Sequence, residues 1–163
     1  MKVIGIDPGL HVSGYAVIEP SDHKTRVLDA GIIRTEDQAS LAERLDQIYQ
    51  DFDAILSEHQ PGLLAIEELY AHYKHPRTAI LMGHARGVFL VAAAQHMIPV
   101  ENFAATRVKK SLIGYGRASK EQMQHAVRSQ LGLAALPTPP DVADALAIAL
   151  CALSQYQREK LAP

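Results

Sequence analysis

Four acidic residues stand where apolar segments of the sequence end: Asp7 after Lys2 to Ile6, Glu67 after Leu63 to Ile66, and Asp141 and Asp144 at the head of a run that stays apolar to Leu153. Carboxylates beside a core are strongly disfavoured unless paired or neutralised. If Asp7 and Glu67 close two neighbouring parallel strands, both emerge at the same edge of a sheet. Asp141 and Asp144 are three apart, which puts them on one face of a helix. A helix passing that edge completes a cluster of four like charges, mutually repelling unless cations neutralise them. Hard divalent cations suit an all-oxygen set. Two Mg²⁺ ions about 3.5 to 4 Å apart, with Mn²⁺ as the expected substitute, clamp the attacking and leaving oxygens of a phosphodiester in an in-line displacement. The chemistry is phosphodiester hydrolysis.

Each carboxylate also has a plainer use. Asp7 precedes Pro8-Gly9 and fits a turn, and Asp141 fits an N-terminal helix carboxylate facing the macrodipole. Glu67 and Glu68 are adjacent, so alternation along a strand sends them to opposite faces and at most one joins the cluster. Glu67 is the choice, leaving Glu68 as a solvated residue or the partner of a nearby base. Asp144, flanked by Ala143, Ala145 and Leu146, has no plain explanation, because an unpaired charge in a buried helix is costly.

The elements that must position these residues follow from periodicity. Lys2 to Asp7, Val12 to Ile18 and Lys24 to Ile33 read as three strands of an antiparallel meander, broken by turns at Pro8-Gly9 and around Asp22. Ser40 and Glu43 form a capping-box pattern, and apolar residues recur at helical spacing from Leu41 to Leu56 until Pro61-Gly62. Leu63 to Glu67 is a short buried strand. A helix runs from Pro76 to about His96, then a strand from Ile98 to Phe103. Two short helices, Thr106 to Ile113 and Ser119 to Leu131, flank the Gly114-Tyr115-Gly116 turn, the second capped by Ser119 and Gln122. Leu136 to Pro140 is loop, and Asp141 to Leu153 a buried helix. The order describes a mixed α/β sheet with helices on its faces. Residues 1–153 are expected as a single domain, with 154–163 as a polar, frayed tail.

Composition narrows the class. The 163 residues are 48% apolar and 21% charged, room for one core, and no apolar stretch approaches the ~20 residues needed to span a bilayer. The start of the sequence has no signal-peptide pattern, so a soluble cytoplasmic protein is expected, with no membrane partner. The single Cys151 excludes an internal disulfide and a multi-cysteine zinc site. A net charge of −2 hides an asymmetry: residues 69–140 hold nine Lys/Arg and two Asp/Glu, a net of +7, while residues 1–68 hold five and thirteen, a net of −8. A polyanionic partner or a merely solvated basic face both fit that count.

Ile4-Gly5-Ile6-Asp7-Pro8-Gly9 with Gly14-Tyr15-Ala16-Val17 resembles the opening of the RuvC family of bacterial Holliday-junction resolvases, within the RNase H-like superfamily. Ala65-Ile66-Glu67, Gly83 to Val88, Val108-Lys109-Lys110 leading to Gly114-Tyr115-Gly116, and Asp141 to Ala147 are similar to that family in order and spacing. The resemblance spans residues 1 to 153. It implies an RNase H-like five-stranded mixed sheet, three antiparallel and two parallel strands with helices on both faces, in a homodimer. It further implies Mg²⁺-dependent, symmetrically paired nicking of a four-way DNA junction that leaves 5′-phosphate and 3′-hydroxyl ends, with branch-migration motor proteins as partners.

Residue by residue, the resemblance makes Asp7, Glu67, Asp141 and Asp144 the metal-binding tetrad, and Lys109 and Lys120 the cations that hold the scissile phosphate. Surface solvation is the plainer role for both lysines. Tyr70 matches an aromatic position that stacks on bases near the crossover, and a core-edge tyrosine is its plainer role. Lys74 and Arg77, with His72 and His75, follow as backbone contacts, as do Lys110 and Arg117. His72 and His75 lack a third ligand and are not read as a zinc site. Gly83 and Gly87 permit close approach on one helix face, to the sheet or to a second subunit. Two other readings remain: a nuclease of the same superfamily acting on other branched DNA or RNA/DNA hybrids, and a non-catalytic junction-binding module. An actin-like ATPase is excluded because 163 residues cannot supply a second phosphate-binding half.

Overall fold

The computed structural model describes residues 1–22, 24–70 and 75–161. Its elements run β1 (Val3–Asp7), β2 (Val12–Pro20), β3 (Thr25–Arg34), α1 (Leu41–His59), β4 (Leu63–Glu67), α2 (Pro76–Gln95), β5 (Val100–Phe103), α3 (Ala105–Ile113), α4 (Lys120–Leu131) and α5 (Pro140–Leu161). Both capping boxes form: Ser40 Oγ accepts from the Glu43 backbone while Glu43 binds back at 2.8 Å, and Ser119 and Gln122 repeat the exchange. α1 ends at Gln60, which turns left-handed with φ 47° just ahead of Pro61.

The five strands lie in the order β3-β2-β1-β4-β5. β1, β2 and β3 pair antiparallel, whereas β4 pairs parallel with both β1 and β5. Strand alternation splits the core in two. Ile4, Ile6, Leu64 and Ile66 face α1 and α2, where Phe52 meets Phe89 edge-on at 4.8 Å. Val3, Leu63, Ala65 and Phe103 face α5 and the shorter helices. Asp7 and Glu67 continue the second series and therefore point toward α5. Glu68 falls on the other parity.

Glycines let α5 lie directly on the hairpin. A Cβ at Gly5 would collide with the Ala145 carbonyl oxygen, and one at Gly14 with that of Asp141. Gly14 is also the cross-strand partner of Asp7, so the same contact sets the head of α5 over the end of β1.

The expected frayed tail is instead helix: α5 continues to Leu161. Gln155 Nε2 donates to Glu159 Oε1 at 2.8 Å, and the Lys160 ammonium lies 4.8 Å from the Tyr156 ring centroid, both one turn apart. Arg107 of α3 braces it from outside, with Nη2 donating to Gln155 Oε1 at 2.5 Å. Polarity alone did not reveal those partners. Among the described residues no helix is long and apolar enough to cross a membrane.

Candidate active site

The parallel register Ile6↔Ile66 leaves Asp7 and Glu67 as the next residues on adjacent strands, and α5 brings Asp141 and Asp144 over them. All four line one open cleft of about 390 Å³, together with Lys109 from α3 and Lys120 from the start of α4. The convergence expected from strand ends and helix spacing is thus what the fold produces.

The electrostatics are those of crowded anions. Burial pushes the Asp7 carboxyl up from 3.8 to about 8, and the charges of Glu67, Asp144 and Asp141 add to it, as does a hydrogen bond in which Asp7 holds the proton against Glu67. Glu67 is raised, by burial first and then by Asp144, against the pull of the Asp7 hydrogen bond and of Lys109 and Lys120. Asp144 is raised by burial too, with Lys120 opposing and Asp141 reinforcing. Lys120 Nζ stands 3.9 Å from Asp144 Oδ2 and its side chain is 77% exposed. So long and wet a pair adds little stability; its meaning is that a cation reaches over the carboxylates.

The donor set is all oxygen, negatively charged and open to solvent on one side, which fits Mg²⁺ or Mn²⁺ rather than a thiolate- or imidazole-preferring metal. Among the described residues, no three Asp, Glu, His or Cys side chains are gathered tightly enough to grip one ion as they stand.

The other expected contacts distribute unevenly. Tyr70 is 62% exposed, and its hydroxyl donates to Glu68 Oε2 at 2.6 Å, so the partner of Glu68 is a tyrosine rather than a base. Tyr70, Glu68 and His75 line a second cavity of about 440 Å³ that shares Glu67, Met82 and Ala105 with the carboxylate cleft. Arg77 is exposed at the start of α2, and Arg117 is exposed between α3 and α4. Lys110 points away from the cleft into a separate groove. Lys74 and His72 lie outside the described residues. A Cβ at Gly83 or Gly87 would meet nothing within 4 Å beyond its own helix among the described residues, so their face of α2 is open, beside Ile80 and Val91, which are 62% and 54% exposed.

Two arginines brace the site without having been singled out for it. Arg86 Nε donates to the Glu67 carbonyl at 3.1 Å and its Nη2 reaches Asn102 Oδ1, tying the end of β4 to α2 and β5. Arg44 is 8% exposed. Its Nε donates to Thr35 Oγ1 at 2.9 Å and its Nη2 to His11 Nδ1 at 2.7 Å and the Leu10 carbonyl at 3.4 Å, gripping the turn that follows Asp7. Buried Ser13 closes the same turn from inside, donating to the Gly9 carbonyl at 2.6 Å and accepting from its N–H at 2.9 Å. The signal for Arg44 was present: it shares the four-residue stripe of Ile48, Phe52 and Leu56.

A five-stranded mixed sheet with carboxylates at the shared edge of its two central strands, overhung by an acidic helix start, makes a carboxylate-lined, nuclease-type site on an RNase H-like fold. The family model described as crossover junction endodeoxyribonuclease RuvC matches residues 3–152. The RuvC protein of Rhodopirellula baltica is 49% identical over 91% of this chain and 84% of its own, and that of Alkaliphilus oremlandii 44% identical over 93% and 92%. The solved structure of Thermus thermophilus RuvC in complex with Holliday junction substrate superposes with a TM-score of 0.91 at 35% identity, covering 98% of this chain and 96% of that one. The chain belongs to the RuvC family of crossover junction endodeoxyribonucleases.

Proposed function

We propose that this protein is a cytoplasmic, Mg²⁺-dependent endonuclease that resolves four-way DNA junctions by symmetrically paired nicks, leaving 5′-phosphate and 3′-hydroxyl ends. The observation that carries the reading is the meeting of Asp7, Glu67, Asp141 and Asp144 with Lys109 and Lys120 in one cleft. Those four carboxylates would hold two Mg²⁺ ions, or Mn²⁺ in their place, and bound divalent ions supply charge neutralisation and activation for attack at phosphorus. Membership of the RuvC family and the likeness to a relative solved on junction DNA support the substrate.

The chain's own residues do the rest. Lys109 and Lys120 flank the position of the scissile phosphate and stabilise the charge that develops on it. Asp7 and Glu67 share one proton in the ion-free cleft, so loading the site displaces it. Tyr70 offers an exposed ring on which an unpaired base stacks without being read. Arg77, Lys110 and Arg117 follow the backbone as positioning contacts. The open α2 face around Gly83 and Gly87 receives a second copy, and a two-fold dimer matches the symmetry of a four-way junction. Branch-migration motor proteins complete the expected partners.

The deciding experiment incubates the protein with a synthetic four-way junction and the matching linear duplex, with Mg²⁺ or with EDTA. Paired, ligatable nicks in the junction alone, dependent on Mg²⁺, are expected. Junction binding without nicking in Mg²⁺ makes the protein a binding module, and equal cutting of linear duplex removes junction selectivity.

A further inference from the structure

α3 carries cations on more than the side that faces the carboxylates. Lys109 turns into the cleft, whereas Arg107 and Lys110, three apart and so on one helix face, line a separate groove of about 590 Å³. Its far wall is the C-terminal continuation of α5, with Gln155, Arg158 and Glu159. Three cations thus confront one carboxylate, and that carboxylate already accepts from Gln155. Arg107 is held in place by Gln155 and lies 5.1 Å from the Phe103 ring centroid. Lys110 and Arg158 have no acidic partner within ion-pair distance among the described residues. Gln155, Arg158 and Glu159 lie beyond residue 152, where the family match stops, so this wall belongs to the part of α5 outside the matched core.

We propose that this groove binds backbone phosphates of the junction arm that leaves the active site across α3. The proposal rests on the junction-resolving function put forward above and extends its substrate contact away from the scissile phosphate. The distance suits DNA: a helix with its side chains is ~10 to 12 Å across and consecutive phosphates of one strand stand roughly 6 to 7 Å apart, so the groove lies about two steps from the cleavage position. Lys109, Lys110 and Arg107 follow one another around the exposed side of α3, a continuous path for a single strand. A groove of this charge reads no sequence, and its contribution scales with salt.

The test measures junction binding by Arg158→Ala and Arg158→Lys proteins in EDTA across a series of NaCl concentrations. It is repeated on junctions whose phosphates two to four steps from the cleavage position are neutral methylphosphonates. One lost phosphate contact lowers the log–log salt slope by ~0.9, which at ~0.15 M salt is about a fivefold loss of affinity. Arg158→Ala is expected to show that loss on the native backbone and none on the neutralised one, with Arg158→Lys restoring most of it. Wild-type affinity and slope for Arg158→Ala overturn the proposal, and so does an equal loss on both backbones, which marks a merely structural effect. If the wild-type protein binds a linear duplex as well as the junction, the junction reading falls, while the groove is still judged by the same slope on the duplex.

Discussion

Replacing Asp7 with Asn should make the ion-free protein more stable at neutral pH and abolish nicking at the same time. The Asp7 carboxyl stands at about 8 in the folded chain against 3.8 as its ordinary value. A folded value above the unfolded one gives stability that is complete below 3.8 and drains away as pH rises through about 8. With each pKa unit equivalent to ~1.4 kcal/mol, the wild-type protein has lost about 4 kcal/mol by pH 7 through this one group. Asn does not titrate and still offers an N–H to Glu67, where the Asp7 proton sits. The variant should therefore match the wild type near pH 4 and exceed it by about 2 to 4 kcal/mol at pH 7, the lower figure allowing for a buried amide. Urea denaturation followed by circular dichroism in EDTA, at pH 4, 5.5 and 7, reads the difference. Millimolar Mg²⁺ should then stabilise the wild type more than the variant, because a ligand that binds only the native state adds to its stability. Parallel stability curves for the two proteins across that pH range would refute the argument that burial and crowding hold the Asp7 proton.

Three further outcomes follow from other parts of the molecule. Arg86→Ala should lower stability by about 1 to 2 kcal/mol and slow single-turnover nicking about tenfold, with Arg86→Lys failing to restore it because one ammonium cannot replace a guanidinium fork spanning two acceptors; a rate within about twofold of wild type would contradict the bracing of Glu67. Tyr70→Phe should keep junction affinity within about twofold while Tyr70→Ala loses about 1 to 3 kcal/mol of binding in an electrophoretic shift assay, and equal behaviour of the two would remove the stacking role. Val91→Glu should shift sedimentation toward the monomer with a melting midpoint little changed, since the side chain is half exposed within one copy; an unchanged mass would put the second copy on another face.

Much of this was legible in the sequence because it depends on short-range chemistry. The capping boxes at Ser40 and Ser119, the strand ends at Asp7 and Glu67, and the opposite parity of Glu68 all follow from spacing alone. The adjacency of β1 and β4 does not, since nothing local says that two strands separated by β2, β3 and the nineteen-residue α1 pair with each other. The direction of Lys110 escaped for a related reason: neighbours on a helix diverge by about 100°, so a lysine beside Lys109 opens onto a different groove. The continuation of α5 to Leu161 was hidden because its support comes from Arg107, some fifty positions earlier in the chain. Arg86 and Arg44 look like surface charges until their acceptors, the Glu67 and Leu10 carbonyls with the Asn102, Thr35 and His11 side chains, are in view.

At Gly5 and Gly14, α5 comes in with its own main chain, accompanied by nothing larger than the Cβ atoms of Ala149 and Asp141. The offset between Asp7 and Asp141 is therefore gauged by two peptide backbones, and repacking elsewhere in the interior has no shim with which to alter it. A helix already seated on glycine can be lifted but never lowered. A side chain at either position can only widen the gap between Asp7 and Asp141.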